Sequence, residues 1–236
     1  MTRNPREQAK HTKKTGKAAV APRRRRPYLD KILCLEGEWT EDLRHELSVE
    51  PVLQILKRRG EIQYIHRRCG TKTEFIYYLN QKKYFQSYRI IYLAFHGARG
   101  LLGFSPYEYV TLEELPALAP GAFKGRLVYF GSCSTVKDVD ERLKEFLRAT
   151  GAVAVAGYTK DVNWVESCAF ELMFLYWAAY YKSPHALMKR LAGLYAQMED
   201  TVGFKYYYAK KGRGKAPAVI LGGSPRSEIA EPDCRP

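Results

Sequence analysis

The sequence predicts an α/β domain in which a mostly parallel sheet is covered on both faces by helices. Three observations lead there. From Tyr28 onward, short apolar runs alternate five times with stretches of helical periodicity. The runs at residues 89–97 (RIIYLAFHG) and 152–158 (AVAVAGY) are apolar almost throughout, the pattern of strands buried on both faces. A chain of 236 residues also suits one such domain of roughly 150–200 residues with a tail.

Taken in order, residues 31–37 (KILCLEG) read as a buried first strand. Residues 48–60 (SVEPVLQILKRRG) set Val52, Ile55 and Leu56 at helical spacing, with Ser48 as the expected N-cap and Gly60 as the stop. Residues 62–68 (IQYIHRR) alternate apolar and polar, so a second strand follows. Residues 71–85 (TKTEFIYYLNQKKYF) open on Thr-x-x-Glu, a capping box, and read as a helix. The third strand is 89–97, and a short helix is expected at 111–118. Residues 126–133 (RLVYFGSC) form the fourth strand and 140–150 a helix. The fifth strand at 152–158 leads to a long apolar helix at 164–182, where Trp164, Cys168, Leu172, Leu175 and Ala179 share a core-facing side. Pro184 opens another helix, to about Met198, and residues 204–221 hold one or two further strands. Tyr206, Tyr207 and Tyr208 fit an aromatic strand more simply than a platform for nucleobases.

Composition narrows the function classes. With 46% hydrophobic and 27% charged residues, the chain is not wholly disordered. The best membrane-helix candidate, residues 168–181, falls short of the roughly 18 apolar residues required and carries Glu171. No apolar leader precedes a cleavage site. Cysteines at 34, 69, 133, 168 and 234 make neither a disulfide framework nor a CxxC metal site. A cytoplasmic protein with reduced thiols is expected, with no metal, no cofactor and no membrane span.

The formal net charge is +14, but residues 1–27 supply +9 of it, with ten Lys and Arg side chains against Glu7. Large apolar side chains are almost absent before Tyr28, so residues 1–27 are expected to be a disordered basic tail. Residues 28–221 then form the folded domain and 222–236 a flexible C-terminal tail. A basic tail supports weak, sequence-independent contact with nucleic acid or an anionic surface. Its confinement to one end argues against a dedicated nucleic-acid-binding protein. The turn GGSP at 222–225 lacks the pattern of a phosphate loop.

Chemistry collects beyond the carboxyl ends of parallel strands, and two such ends stand out. The third strand closes on Phe95-His96-Gly97, and the fourth on Gly131-Ser132-Cys133-Ser134-Thr135. If the two strands are neighbours, about 4.8 Å apart, the imidazole of His96 and the thiol of Cys133 emerge side by side. A Cys beside a protonated His is partly thiolate and thus a competent nucleophile. The backbone N–H groups of Gly97 and Cys133 would then form an oxyanion hole. Alone, an isolated buried Cys is a small hydrophobe and a lone His a hydrogen-bonding partner. It is their joint placement that points to catalysis.

These residues carry a resemblance. YLAFHG, followed by the Cys of VYFGSCST 37 residues after the His, is similar to the His-Gly and Cys motifs of caspase-like cysteine peptidases, clan CD. A third block, residues 150–158 (TGAVAVAGY) with Asp161-Val162-Asn163 and an apolar helix, resembles the CHAT and separase type. LEGEW together with AFHG and FGSCST resembles short stand-alone bacterial members of that group, whose function is uncharacterised. The resemblance spans residues 31–181. It implies a caspase-haemoglobinase fold, a three-layer α/β/α sandwich, and a cysteine endopeptidase acting on protein or peptide substrates. His96 would be the general acid/base and Cys133 the nucleophile. Asn163 stands where CHAT proteins carry an acid, with Trp164 beside it, so that part of the cleft differs. The chain carries no TPR-like recognition segment.

The pocket for the side chain before the scissile bond has acidic candidates. Glu36 and Glu38 follow the first strand, and Asp161 follows the fifth. An acid there would favour Arg or Lys substrates by charge-assisted pairing. The competing readings are solvated loop carboxylates and, for the whole chain, a catalytically silent CHAT-like interaction module.

Overall fold

In chain order the strands are β1 (Asp30–Glu36), β2 (Ile62–Arg68), β3 (Ile90–Ala94), β4 (His96–Ala98), β5 (Leu101–Ser105), β6 (Glu108–Thr111), β7 (Leu127–Phe130), β8 (Ala154–Tyr158), β9 (Phe204–Lys210) and β10 (Ala218–Gly222). The helices are α1 (Glu50–Arg58), α2 (Lys72–Asn80), α3 (Leu115–Leu118), α4 (Asp140–Thr150), α5 (Trp164–Tyr180) and α6 (Pro184–Leu194). This computed structural model describes residues 30–42, 44, 47–105, 108–194, 200–210 and 218–222. The expected basic tail and residues 223–236 lie outside the described residues.

The main sheet runs β10-β9-β8-β7-β3-β1-β2. Its five strands from β2 to β8 are parallel, while β9 and β10 add an antiparallel margin. Side chains alternate across it. Ile32 and Cys34 of β1, with Ile90 and Tyr92 of β3, face α1, α5 and α6. Leu33, Leu35, Ile91 and Leu93 face the layer holding α2 and α4. Two apolar clusters, one per face, explain why β1, β3, β7 and β8 are apolar without alternation. The predicted three-layer α/β/α arrangement with a mostly parallel sheet is what the chain forms. Among the described residues, no helix is long and apolar enough to cross a membrane.

The structure departs from expectation in four places. The run at 89–97 breaks after Ala94, and His96 begins β4, part of a separate antiparallel sheet β4-β5-β6. Gly100, at φ +74°, makes the tight turn from β4 into β5. The segment around 111–118 is therefore a strand end followed by the single turn α3. The capping box of Thr71 and Glu74 forms, but α2 stops at Asn80, with one 3₁₀ turn at Lys82–Tyr84. Finally, the N-cap position of α1 falls on Val49, whose side chain has no oxygen to cap with, while the Ser48 hydroxyl before it donates to Glu36 and accepts from Glu50 N–H at 3.1 Å.

Candidate active site

Three adjacent strands, β1, β3 and β7, end together, and the strand order reverses between β1 and β3. Such a switch point opens a crevice at the carboxyl ends. The ends are laced to one another. Gly37 N–H donates to Ala94 O at 2.8 Å, Gly131 N–H to Leu93 O at 2.9 Å, and Ser132 Oγ to the same carbonyl at 3.3 Å. The expected adjacency of the His96 and Cys133 strands holds, since β3 pairs with β7 in parallel.

Gly97 shows how closely the two segments meet. A Cβ at this position would stand 2.5 Å from Cys133 O and 2.8 Å from Ser132 Cβ, and would run into Thr135 Oγ1 as well. Only glycine lets the chain after His96 lie against the turn that carries Cys133. Ser134 is left-handed at φ +54°, which bends that turn. Bonds from Ser134 N–H to Lys160 O and from Gly100 N–H to Thr135 O hold it on both sides. Exposed His96 and half-buried Cys133 thus issue from two backbone segments in contact. The Cys133 N–H donates to no group among the described residues. Gly97→Ala should force the segments apart, because a backbone carbonyl and two short side chains cannot yield. The variant is expected to be destabilised, read as a lowered thermal midpoint relative to the parent.

The pocket candidates separate on inspection. Glu36, expected to face substrate, is 0% exposed. Its Oε1 accepts from Trp39 Nε1 at 2.6 Å and Val49 N–H at 2.7 Å. Its Oε2 accepts from Ser48 Oγ at 2.7 Å and lies 2.6 Å from His66 Nε2. Burial raises the pKa of this carboxyl, but the bonds from His66, Trp39, Ser48 and Val49 outweigh it and hold the group below its ordinary value. Both oxygens are saturated, so Glu36 has no lone pair to offer a ligand. Glu38 is exposed and held by both Nε (3.1 Å) and Nη2 (2.5 Å) of Arg68. Asp161 is exposed and accepts from Ser134 Oγ at 2.9 Å, one residue beyond Cys133. Asn163 caps α5, its Oδ1 accepting from Val165 N–H and Glu166 N–H.

Two features at the site were not singled out in the sequence. Trp39 sits edge-on between two rings, 5.5 Å from His96 and 5.0 Å from Trp164. Beneath the Cys133 turn, Glu171 of α5 is 2% exposed among Tyr92, Tyr129 and Tyr158. A Cβ on Gly131 would stand 2.5 Å from Tyr92 Cε2 and 3.1 Å from Glu171 Oε1, so this group is in contact with the turn.

The other described thiols are poorly disposed to react. Burial pushes Cys69 up to about 12, with the Glu74 charge adding to it. Burial, then the charges of Glu171 and Glu36, push Cys168 up to about 11. Fully buried Cys34 is raised as well, by desolvation first and the Glu36 charge second. Among the described residues no cluster of His, Cys, Asp and Glu has the makings of a metal site.

A family model described as a family of unknown function, DUF6642, matches residues 30–208. Among solved structures the chain is similar to caspase-1 from Spodoptera frugiperda, at 12% identity and a TM-score of 0.42, over 84% of this chain and 92% of that one. It is also similar to the Arg-specific cysteine proteinase gingipain R (RGPB), at 16% identity and a TM-score of 0.44. There it covers 74% of this chain and spans 45% of the other. No curated protein matches.

Proposed function

Since the chain belongs to DUF6642, a family of unknown function, its activity rests on the site itself, and we propose that it is a cysteine endopeptidase of the caspase-like CHAT type. Cys133 is the nucleophile, His96 the general acid/base, and the N–H groups of Cys133 and Gly97 receive the oxyanion. The observation that carries this reading is the approach of Gly97 to the Cys133 carbonyl, which sets an exposed imidazole and an accessible thiol on touching segments at a sheet switch point. The thiolate attacks the scissile carbonyl and forms the acyl-enzyme, while His96 passes the proton to the leaving amine. Water, deprotonated by His96, then releases the acid.

Asp161 is the acid best placed to meet a basic side chain before the scissile bond. It is exposed, and Ser134 ties it to the Cys133 turn. Glu36 is closed off, and Glu38 is committed to Arg68. Peptides with Arg or Lys at that position should therefore be cleaved in preference to Asp. Asp161→Asn should lower turnover of Arg peptides at least about tenfold.

The deciding experiment is site-resolved labelling of the folded protein with iodoacetamide, followed by an acyloxymethyl-ketone peptide probe. Cys133 should label faster than Cys34, Cys69 or Cys168 with the first reagent and alone with the second. Equal labelling of all four thiols, or probe capture that survives Cys133→Ala, would remove the assignment.

A further inference from the structure

We propose that Glu36 and Trp39 are positioning residues for His96, a step that rests on the reading of His96 as the acid/base. The argument starts from a mismatch. His96 is exposed on a three-residue strand, and an exposed imidazole there has open rotamers. A proton carrier that must meet both the Cys133 thiol and a leaving amine needs one orientation. What limits the ring is Trp39, whose indole meets it at 5.5 Å with planes 70° apart.

Trp39 could not do this unaided, because it lies on the loop that follows β1. Two restraints fix it. Its other side abuts Trp164 at the start of α5, at 5.0 Å and 76°. Its N–H is bound at 2.6 Å by Glu36 Oε1. Glu36 is in turn immobile. It ends β1 in register with Arg68 of β2 and Ala94 of β3, and its carbonyl accepts from Cys69 N–H at 2.7 Å. Its carboxylate is gripped by donors from three further places, Ser48, Val49 and His66. A buried anion with four donors is a costly feature for a loop staple alone. Its one connection toward the crevice is the indole that touches His96. The rigid sheet end is thereby transmitted through a single aromatic ring to the candidate proton carrier.

The test compares Glu36→Gln, Trp39→Phe and Trp39→Ala with the parent in full-length protein. Activity is read on a fluorogenic peptide with kcat and KM separated. Placement is read by NMR, from the Trp39 Nε1–H resonance and the cross-relaxation between its ring and the His96 ring. Glu36→Gln should move the indole N–H upfield, weaken the Trp39–His96 cross-peaks and lower kcat at least about tenfold, with KM within about twofold. Trp39→Phe keeps an aromatic edge without the tether and should fall between the parent and Trp39→Ala. If Glu36→Gln fails to fold, the two Trp39 variants carry the test, because they leave the buried carboxylate with three of its four donors. Folded variants with kcat within twofold of the parent, or no cross-peaks between Trp39 and His96 in the parent, would overturn the inference. Hydrolysis that survives His96→Ala would instead overturn the reading beneath it, so the two failures are distinguishable.

Discussion

Replacing either Cys133 or His96 by alanine is expected to lower peptide kcat/KM by about 1,000-fold or more, and replacing both should cost no more than the worse single change. In the proposed dyad, nucleophile and base act as one unit, and once either is gone the other has no step to perform. The same substitutions should barely disturb the fold. His96 is exposed and Cys133 only half buried, and neither side chain donates or accepts in the network that holds the strand ends; the Cys133 carbonyl, which accepts from Thr135 Oγ1 at 3.4 Å, is kept by alanine. Thermal midpoints within about 1–2 °C of the parent are therefore expected, since substitutions at such positions stay near ±0.5 kcal/mol. The pairing of a large kinetic loss with an unchanged midpoint separates a dyad from two structural side chains. Multiplying single-variant losses in the double variant would show that the two residues act apart, and a parent-like rate in Cys133→Ala would end the peptidase reading.

What could be read from the sequence, and what could not, divides along the range of the interactions. The core strands were visible because apolar runs such as IIYLA and LVYF need no partner to be recognised, only burial on both faces. His96 and Cys133 were visible because each follows such a run and is followed by small residues. The sheet β4-β5-β6 was hidden, since its strands of three to five residues carry too few alternations to register a period. Glu36 looked like a solvent-facing acid at a strand end. Its partners Ser48, Val49 and His66 lie 12, 13 and 30 residues away; the parallel pairing of β1 with β2 brings in His66, and the start of α1 brings in Ser48 and Val49. Trp39 is illegible in the sequence for the same reason: its meaning lies in Glu36, His96 and Trp164, which the fold alone assembles. Glu171 registered only as a charge in an apolar helix. The tyrosines that surround it come from three strands, two of them, Tyr92 and Tyr129, directly paired in register.

Glu171 and Glu36 are both buried carboxyls near the site, and they should respond to pH in opposite directions. Glu36 is held below its ordinary pKa by its four donors, so its contribution is present at neutral pH and is lost as acid protonates the folded state. Glu171 is pushed up to about 7, chiefly by burial. The hydroxyls of Tyr92 (2.5 Å), Tyr158 (3.2 Å) and Tyr129 (3.4 Å) oppose that rise without cancelling it, and the charge of Glu36 adds to it. The folded protein therefore keeps a proton on Glu171 that the unfolded chain, at about 4.5, has already released.

Stability supplied by protonated Glu171 is thus complete below about pH 4.5, declines by up to about 1.4 kcal/mol per unit through the interval to pH 7, and levels off above it. Glu171→Gln removes the titration while keeping the shape and an oxygen acceptor for the tyrosines. Unfolding free energies of parent and variant, measured in urea between pH 5 and pH 8, should then diverge in slope. The parent is expected to lose about 2.5 kcal/mol relative to Glu171→Gln over that span, with most of the change complete by pH 7. The comparison cancels Glu36 and the exposed carboxylates, which titrate alike in both proteins. Because Gly131 rests on Tyr92 and Glu171, the same interval should loosen the Cys133 turn, seen as faster amide exchange at Gly131 and Ser132 in the parent than in the variant at pH 8. A parent–variant difference that stays flat from pH 5 to pH 8 would mean that Glu171 is ionised in the folded protein throughout, and that the three tyrosines stabilise its charge more than burial opposes it.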